Sequence, residues 1–167
     1  MAQPTQVKKF SLFLNLFKPI ELPFTLHSEA HHDFSNQNKS IHPELLTEYI
    51  SPYIGQNDDE YTEYIPCFLL DQQKNYIAVV VWKAGLLEYG YYVLTYNNAG
   101  DLIHKQVIGG MKSDGQRLLS RIAMIDDEKN IHMVEGELKD NQKDYNPQKT
   151  KEYTFSLNEK GFLELEH

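Results

Sequence analysis

The chain has little of what several classes of protein require. It contains one cysteine, Cys67, which excludes an internal disulfide and a metal site built from several cysteines. Its 16 basic residues are outnumbered by 24 acidic ones, and the formal net charge of −8 argues against a nucleic-acid footprint and a polybasic membrane surface. No apolar run approaches the roughly 20 residues that span a bilayer. We therefore expect no nucleic-acid partner and no transmembrane segment.

Signatures of catalysis and cofactor binding are equally scarce. The sequence has no P-loop, no GxGxxG or GxSxG segment and no HExxH pattern, so it predicts no cofactor and no familiar hydrolase site. Cys67 follows Pro66 in an apolar, strand-like run. Because a reactive thiol needs an exposed, electropositive setting, we expect Cys67 to be a buried structural residue.

What is present is a series of polar segments that separate apolar, β-prone runs, as hairpin loops do. Four such segments lie at 71–75, 97–100, 127–130 and 158–161. They predict a mainly β fold of about eight antiparallel strands in a meander, closed or nearly closed as a barrel or curved sandwich. Gly100 and Gly161 suit the left-handed position that closes such a turn, and Asn75 and Asn130 can take it less easily.

Two short helices are predicted before these strands. Apolar residues between Phe10 and Phe17 recur at helical spacing, and Pro19 ends that helix. A second helix over 43–50 has proline at its first position, where its missing N–H costs nothing. We expect both helices to cover an open end or edge of the sheet. The uninterrupted apolar run 77–81 predicts a strand that is covered on both faces.

The length of 167 residues predicts one domain, over 1–164. Residues 1–7 are polar and are expected to form a loose tail, and 165–167 looks like the start of an expression tag. The short apolar run near the start lacks the cleavage site of a signal peptide. The compartment, cytoplasm or cell envelope, and the oligomeric state stay open on these signals.

The densest group of metal-ligand residue types contains His27, His31, His32 and Asp33. On a helix, His27 and His31 would share a face and can bind zinc with Asp33 or Glu29 as a third ligand. The segment 27–40 is rich in serine and asparagine, however, and therefore predicts a polar loop. We accordingly expect no tightly bound metal there.

Aromatic residues supply a second candidate site. The chain has 11 tyrosines, and several of them cluster near Trp82. Tyr89 and Tyr91 share one strand face, and an aromatic face can receive a sugar, a peptide or another apolar ligand. The candidate ligand-binding residues are Trp82, Glu88, Tyr89, Tyr91 and Tyr145.

The predicted topology suggests where such a site lies. In an up-and-down meander, alternate connections lie at opposite ends, so the four tight turns share one end. The connections 83–89, 109–117 and 139–150 share the other end and are longer. Longer loops on a rigid sheet commonly carry binding residues, and we therefore place the site at their end.

The short helix, the segment Ile20-Glu21-Leu22-Pro23-Phe24-Thr25 and the Tyr/Asn-rich hairpins together resemble uncharacterised bacterial lipoprotein-type chains. The resemblance extends loosely over most of the chain and implies a cell-envelope location. That family has no established activity to carry over. This chain also lacks the lipobox cysteine at its start.

Three functions are compatible with these patterns. The leading hypothesis is a non-enzymatic binding module for a small apolar or sugar-like ligand or for a protein partner. The alternatives are a hydrolase with its site at the long-loop end and a structural cell-envelope protein. An aromatic pocket with few ionisable groups favours the first function, and converging histidine and carboxylate groups favour the second. A filled interior without a cavity favours the third.

Overall fold

The computed structural model describes residues 4–27, 29–113, 115–138 and 150–166, and these form four helices and nine strands. The helices are α1 (Pro4–Leu14), α2 (Ala30–Gln37), α3 (Pro43–Tyr49) and α4 (Ser51–Ile54). The strands are β1 (Phe24–Leu26), β2 (Glu63–Gln72), β3 (Ile77–Ala84), β4 (Glu88–Tyr96), β5 (Leu102–Ser113), β6 (Leu118–Ile125), β7 (Ile131–Leu138), β8 (Lys151–Leu157) and β9 (Leu163–Leu165). The predicted mainly β, antiparallel class is confirmed.

All nine strands belong to one antiparallel sheet, in which β2 to β9 follow each other as a meander. No pairing joins β2 to β9 among the described strands, so the sheet curls without closing. Strand β5 pairs with β6 only from Gly110 to Ser113. Beyond that point β1 takes its place and pairs with Ala123 to Ile125 of β6. The sheet therefore opens between β5 and β6, and β1 fills the opening.

Strand β3 separates two apolar cores. Its Ala78, Val80 and Trp82 face the inside of the curled sheet. Its Val79 and Val81 face the opposite way, toward the helices. This arrangement confirms the expected strand with both faces covered, and it explains why the run does not alternate with polar residues.

Helix α1 packs its aromatic residues on the outer side of β3 and β4. Phe13 is fully buried, with its ring centroid 4.8 Å from Tyr49 and 5.6 Å from Tyr96. The helix begins at Pro4, so residues 4–7, which the sequence assigns to a tail, are helical. At the other end of the chain, Leu165 of β9 pairs with Phe155 of β8, although the sequence assigns Leu165 to a tag remnant. No described helix has the length and apolar character needed to cross a membrane.

The predicted loop over 27–40 is wrong, because residues 30–37 of this segment form helix α2. Together with α4, it gives four helices where the sequence predicts two. Ala30 and Phe34, one helical turn apart, are both buried in the inner core. Their burial stabilises a helix whose other residues are polar. Asn38, directly after the helix, donates hydrogen bonds to the carbonyls of Pro66 and Cys67 on the edge strand β2. Tertiary packing thus outweighs the local preference for a loop.

The turns agree with the prediction at two positions and differ at the other two. Gly100 and Gly161 have φ of 91° and 90°, which confirms their left-handed conformation. Lys129, with φ of 67°, is the single described non-glycine residue with positive φ. Asn75 and Asn130 therefore do not take the position that the sequence suggested for them.

Two of the three connections predicted to be long are short. Strand β3 ends at Ala84 and β4 begins at Glu88, which leaves only 85–87 between them. Strand β5 continues to Ser113, because residues 110–113 still pair with β6. The third connection, 139–150, lies outside the described residues apart from its last position. Pairing of the strand ends thus extends the sheet into segments whose glycines suggested loops.

Candidate ligand-binding cleft

A cleft of about 480 Å³ lies at the end of the sheet opposite the tight turns. Strand residues Ile65, Trp82, Tyr89 and Met111 form its apolar wall. Helix α2 and the residue before it form the opposite side, through Glu29, His31, His32 and Ser35. The cleft exists because α2 covers the inner core at Ala30 and Phe34 but leaves the ends of β2 to β5 open.

Aromatic rings form the floor of the cleft. The Trp82 ring lies 5.2 Å from Tyr89 and 4.7 Å from Tyr91, measured between centroids. Trp82 and Tyr91 are buried, whereas Tyr89 is only half-buried. The Tyr89 hydroxyl donates to the sulfur of Met111 at 3.3 Å. Tyr89 is therefore the ring that a ligand reaches first.

The histidine group and the aromatic group, which the sequence presents as separate candidates, meet in this cleft. The imidazole of His31 stacks on Trp82 at 4.3 Å with an interplanar angle of 5°. His32 follows at 4.0 Å from His31, and its Nε2 lies 3.0 Å from Oε2 of Glu29. A flat contact of this kind covers one face of the indole and positions α2 over the sheet.

Carboxylates give the cleft its electrostatic character. Glu29 and Glu63 both line it and are exposed. Burial raises the pKa of Tyr89, and the negative charge of Glu29 adds to that increase. In the part of the chain that the structure describes, no lysine or arginine lines the cleft.

Only part of the predicted site comes together. Trp82 and Tyr89 line the cleft, and Tyr91 lies beneath it with its hydroxyl donating to the His27 carbonyl at 3.4 Å. Glu88 points elsewhere and accepts from the Tyr92 hydroxyl at 3.0 Å. Tyr145 lies outside the described residues.

Glu88 belongs to a second, more polar depression of about 300 Å³. The ammonium groups of Lys83 and Lys105 also lie there. Lys83 donates to the carbonyl of Ile54 and lies 2.9 Å from the carboxylate of Asp58. Lys105 donates to the carbonyl of Tyr53. These lysines hold the end of α4 against the sheet, which is sufficient to explain them.

The four residues proposed as metal ligands do not converge. His27 precedes α2, and its Nδ1 accepts the backbone N–H of Glu29 at 3.2 Å. Asp33 is exposed on α2. Among the described residues, no group of three or more histidine, cysteine or acidic side chains is placed to hold a metal ion. Cys67 is buried, and burial raises the pKa of its thiol, in agreement with a structural role.

Sequence reasoning missed the contribution of α2 as a wall and those of Glu63, Ile65 and Met111. The available signal for α2 was the spacing of Ala30 and Phe34, which is helical but contains only two apolar residues. Met111 was assigned to a loop, and the extension of β5 was needed to place it beside Tyr89. The pairing Tyr89↔Met111 across β4 and β5 makes them neighbours.

A chain of hydrogen-bonding groups suited to hydrolysis exists outside the cleft. His132 lies 2.8 Å from Asp126 through Nε2 and 3.3 Å from the Thr154 hydroxyl through Nδ1. None of these three residues lines the cleft. The cleft itself brings two imidazoles, His31 and His32, together with the carboxylates of Glu29 and Glu63 beside its aromatic wall, so it has features of both the binding site and the hydrolase site expected from the sequence.

Comparison with protein-family models, with curated proteins and with solved structures gave no match to this chain.

Proposed function

We propose that this protein is a non-enzymatic binding module, and that the cleft between α2 and β2–β5 takes a small ligand through an apolar or aromatic group. The observation that carries the proposal is the convergence of Tyr89, Trp82 and Met111 in an open cavity of about 480 Å³. A cavity of this volume matches the size range of small-molecule sites, which are apolar with a few polar groups at their rim.

The neighbouring surface supports a binding role for this end of the molecule. Leu86 and Leu87 lie between Ala84 and Tyr89 in the chain and are 74% and 67% exposed. Tyr61, just before β2, is 67% exposed. Exposed apolar side chains beside a cavity are typical of surfaces that contact a ligand or a partner. The second candidate function is the binding of a protein partner at the turn between β3 and β4, which carries Leu86 and Leu87.

Backbone-amide NMR with a library of small aromatic, sugar and alkyl compounds tests the proposal. We expect chemical-shift changes at Ile65, Trp82, Tyr89 and Met111. Changing Tyr89 to Ala should weaken binding about fivefold, because an aromatic contact contributes about 1 kcal/mol beyond its buried area.

Phe162→Ala is the matched control, since Phe162 is a half-exposed ring at the tight-turn end. It should leave binding unchanged. Shift changes confined to the tight turns, near residues 72–74, 98–99, 128–129 and 159–160, would contradict the proposal. Binding of no compound would favour a structural role.

A further inference from the structure

Carboxylates are the permanent charges around the cleft, and the imidazoles of His31 and His32 lie among them. Glu29 and Glu63 stand at its rim, and the described lining contains no lysine or arginine to balance them. Glu29 contacts His32, whereas none of the described ion pairs involves Glu63. The formal net charge of −8 adds to the same field. Clefts lined by one sign of charge raise the local concentration of ligands of the opposite sign.

The apolar wall has the matching chemistry. The face of a tyrosine or tryptophan ring attracts a cation, and the attraction increases as the site excludes water. Because His31 already stacks on Trp82, the half-buried ring of Tyr89 is the accessible one. The Met111 sulfur beside it is polarizable and tolerates ligands of varied shape.

We propose that the ligand of this cleft is a small organic cation, with its ammonium group bound by the Tyr89 ring and the carboxylates of Glu29 and Glu63 and its apolar part against Ile65 and Met111. This inference rests on the proposed binding function and adds the charge of the ligand. A carboxylate ligand is disfavoured because both rim carboxylates repel it. A neutral sugar has no positive charge to interact with these carboxylates.

Three probes of equal chain length separate charge from apolar contact: hexylammonium, hexan-1-ol and hexanoate. Binding is measured by NMR titration of the cleft amides at pH 7. We expect hexylammonium to bind about tenfold more tightly than hexan-1-ol, and hexanoate to bind more weakly than both. The preference should shrink when the salt concentration rises from about 0.05 M to about 0.5 M, because salt screens exposed charges.

Variants then test the named residues. Glu63→Gln and Glu29→Gln should each lower hexylammonium affinity about threefold or more and leave hexan-1-ol affinity unchanged. Tyr89→Leu keeps an apolar side chain but loses the aromatic face, so it should reduce only the preference for the cation. Glu159→Gln, at the tight-turn end, is the matched control and should change nothing. All three glutamates are exposed, so these variants keep the fold.

The outcomes separate this inference from the function on which it rests. Equal binding of hexylammonium and hexan-1-ol at the cleft, insensitive to both glutamate variants, overturns the cationic ligand and leaves the binding module standing. Binding of no probe at the cleft overturns both. The capped peptide acetyl-Gly-Lys-Gly-amide, in which the lysine ammonium is the one charged group, distinguishes the sources of the cation. If it binds at least as tightly as hexylammonium, the cation belongs to a lysine side chain, and weaker binding identifies a free amine.

Discussion

Lys129 combines an unfavourable backbone conformation with a favourable side-chain contact. Its φ of 67° is one that glycine adopts more easily than lysine. Its ammonium group lies 2.6 Å from the carboxylate of Asp71, which is only 7% exposed and also accepts from the Tyr76 hydroxyl at 2.7 Å. A buried carboxylate without a cation is costly, so the ion pair offsets the strain in the turn.

Two substitutions separate these effects. Lys129→Met removes the charge and keeps the strained backbone, so we expect it to lower the free energy of unfolding by about 1–3 kcal/mol. Lys129→Gly removes the same charge but relieves the backbone by about 1 kcal/mol and should cost correspondingly less. Urea unfolding at pH 7 measures both. A methionine variant as stable as the parent protein would show that the ion pair contributes nothing.

The same ion pair predicts a dependence on pH. Burial alone would raise the pKa of Asp71, but hydrogen bonds from Lys129, Tyr76 and Gln73 outweigh burial and hold the pKa below its ordinary 3.8. The stabilisation is therefore complete well above pH 3.8 and is lost as the pH falls through the folded-state pKa. Acid titration of the unfolding free energy should show a smaller loss in Lys129→Met than in the parent. Parallel curves would contradict the assignment.

Glycine is required at the β8–β9 turn for two reasons that can be measured apart. A Cβ at Gly161 would lie 2.8 Å from the Cβ of Tyr76, and φ is 90°. Gly115 has a similar φ of 94°, and no atom of the residues that the structure describes lies within 4 Å of such a Cβ. We expect Gly115→Ala to cost about 1 kcal/mol from backbone strain alone, and Gly161→Ala to cost at least about 1 kcal/mol more because Tyr76 must move. If urea unfolding shows that both variants lose the same unfolding free energy, the contact with Tyr76 contributes nothing and the steric reason is wrong.

At the scale of elements, three hairpin turns share one construction. The side-chain oxygens of Asn97, Asp126 and Asn158 each accept the backbone N–H groups two and four residues later. Such hydrogen bonds depend only on neighbouring residues, so the local sequence is enough to specify the turn. The regular series seen in the sequence therefore corresponds to a repeated physical unit.

The last strand is attached to the sheet through a histidine. The backbone N–H of Leu163 in β9 donates to Nδ1 of His104 in β5 at 2.8 Å. Burial lowers the pKa of His104 from its ordinary 6.5, and a protonated imidazole cannot accept this hydrogen bond. The contact joins strands that do not pair in the sheet order and draws the end of the meander onto its middle.

A pH dependence of stability follows from this contact. Well above pH 6.5 the imidazole is neutral in both states. As the pH decreases through 6.5 the unfolded chain takes up the proton first, so the unfolding free energy decreases as the pH is lowered. His104→Asn keeps an acceptor at the position of Nδ1 without titrating. The difference in stability between parent and variant should therefore shift against the parent between about pH 7.5 and about pH 5.5. A difference in unfolding free energy between parent and variant that does not change with pH would contradict this prediction.

At the scale of the whole molecule, the helices cover the apolar faces of the sheet. The outer face of β3 and β4 is apolar, and α1 and α3 cover it with a cluster of aromatic rings. Without that layer the sheet would expose an apolar face to water. Helix α2 performs the same task for the inner core, and the cleft is what it leaves uncovered.

A matched pair on α1 tests the contribution of the outer core. Phe13 is fully buried, whereas Leu12 beside it is 52% exposed. We expect Phe13→Ala to lower the free energy of unfolding by about 3–5 kcal/mol through the cavity it leaves, and Leu12→Ala to change it by about 0.5 kcal/mol or less. Urea unfolding followed by tyrosine and tryptophan fluorescence measures both. Similar small effects would show that α1 is dispensable for stability.

The sequence by itself determined the meander, the left-handed glycines and the doubly covered strand β3. These features depend on turn residues and apolar patterning over a few neighbours, where short-range sterics and hydrogen bonds decide. Only the tertiary structure decided that a polar segment forms α2, that β1 inserts beside β6, and that His31 stacks on Trp82. Helix α2 and its stacking contact require burial of Ala30 and Phe34 against strands distant in the sequence, and β1 requires pairing with β6. Their free energy exists only once the sheet has formed, so no local pattern records it.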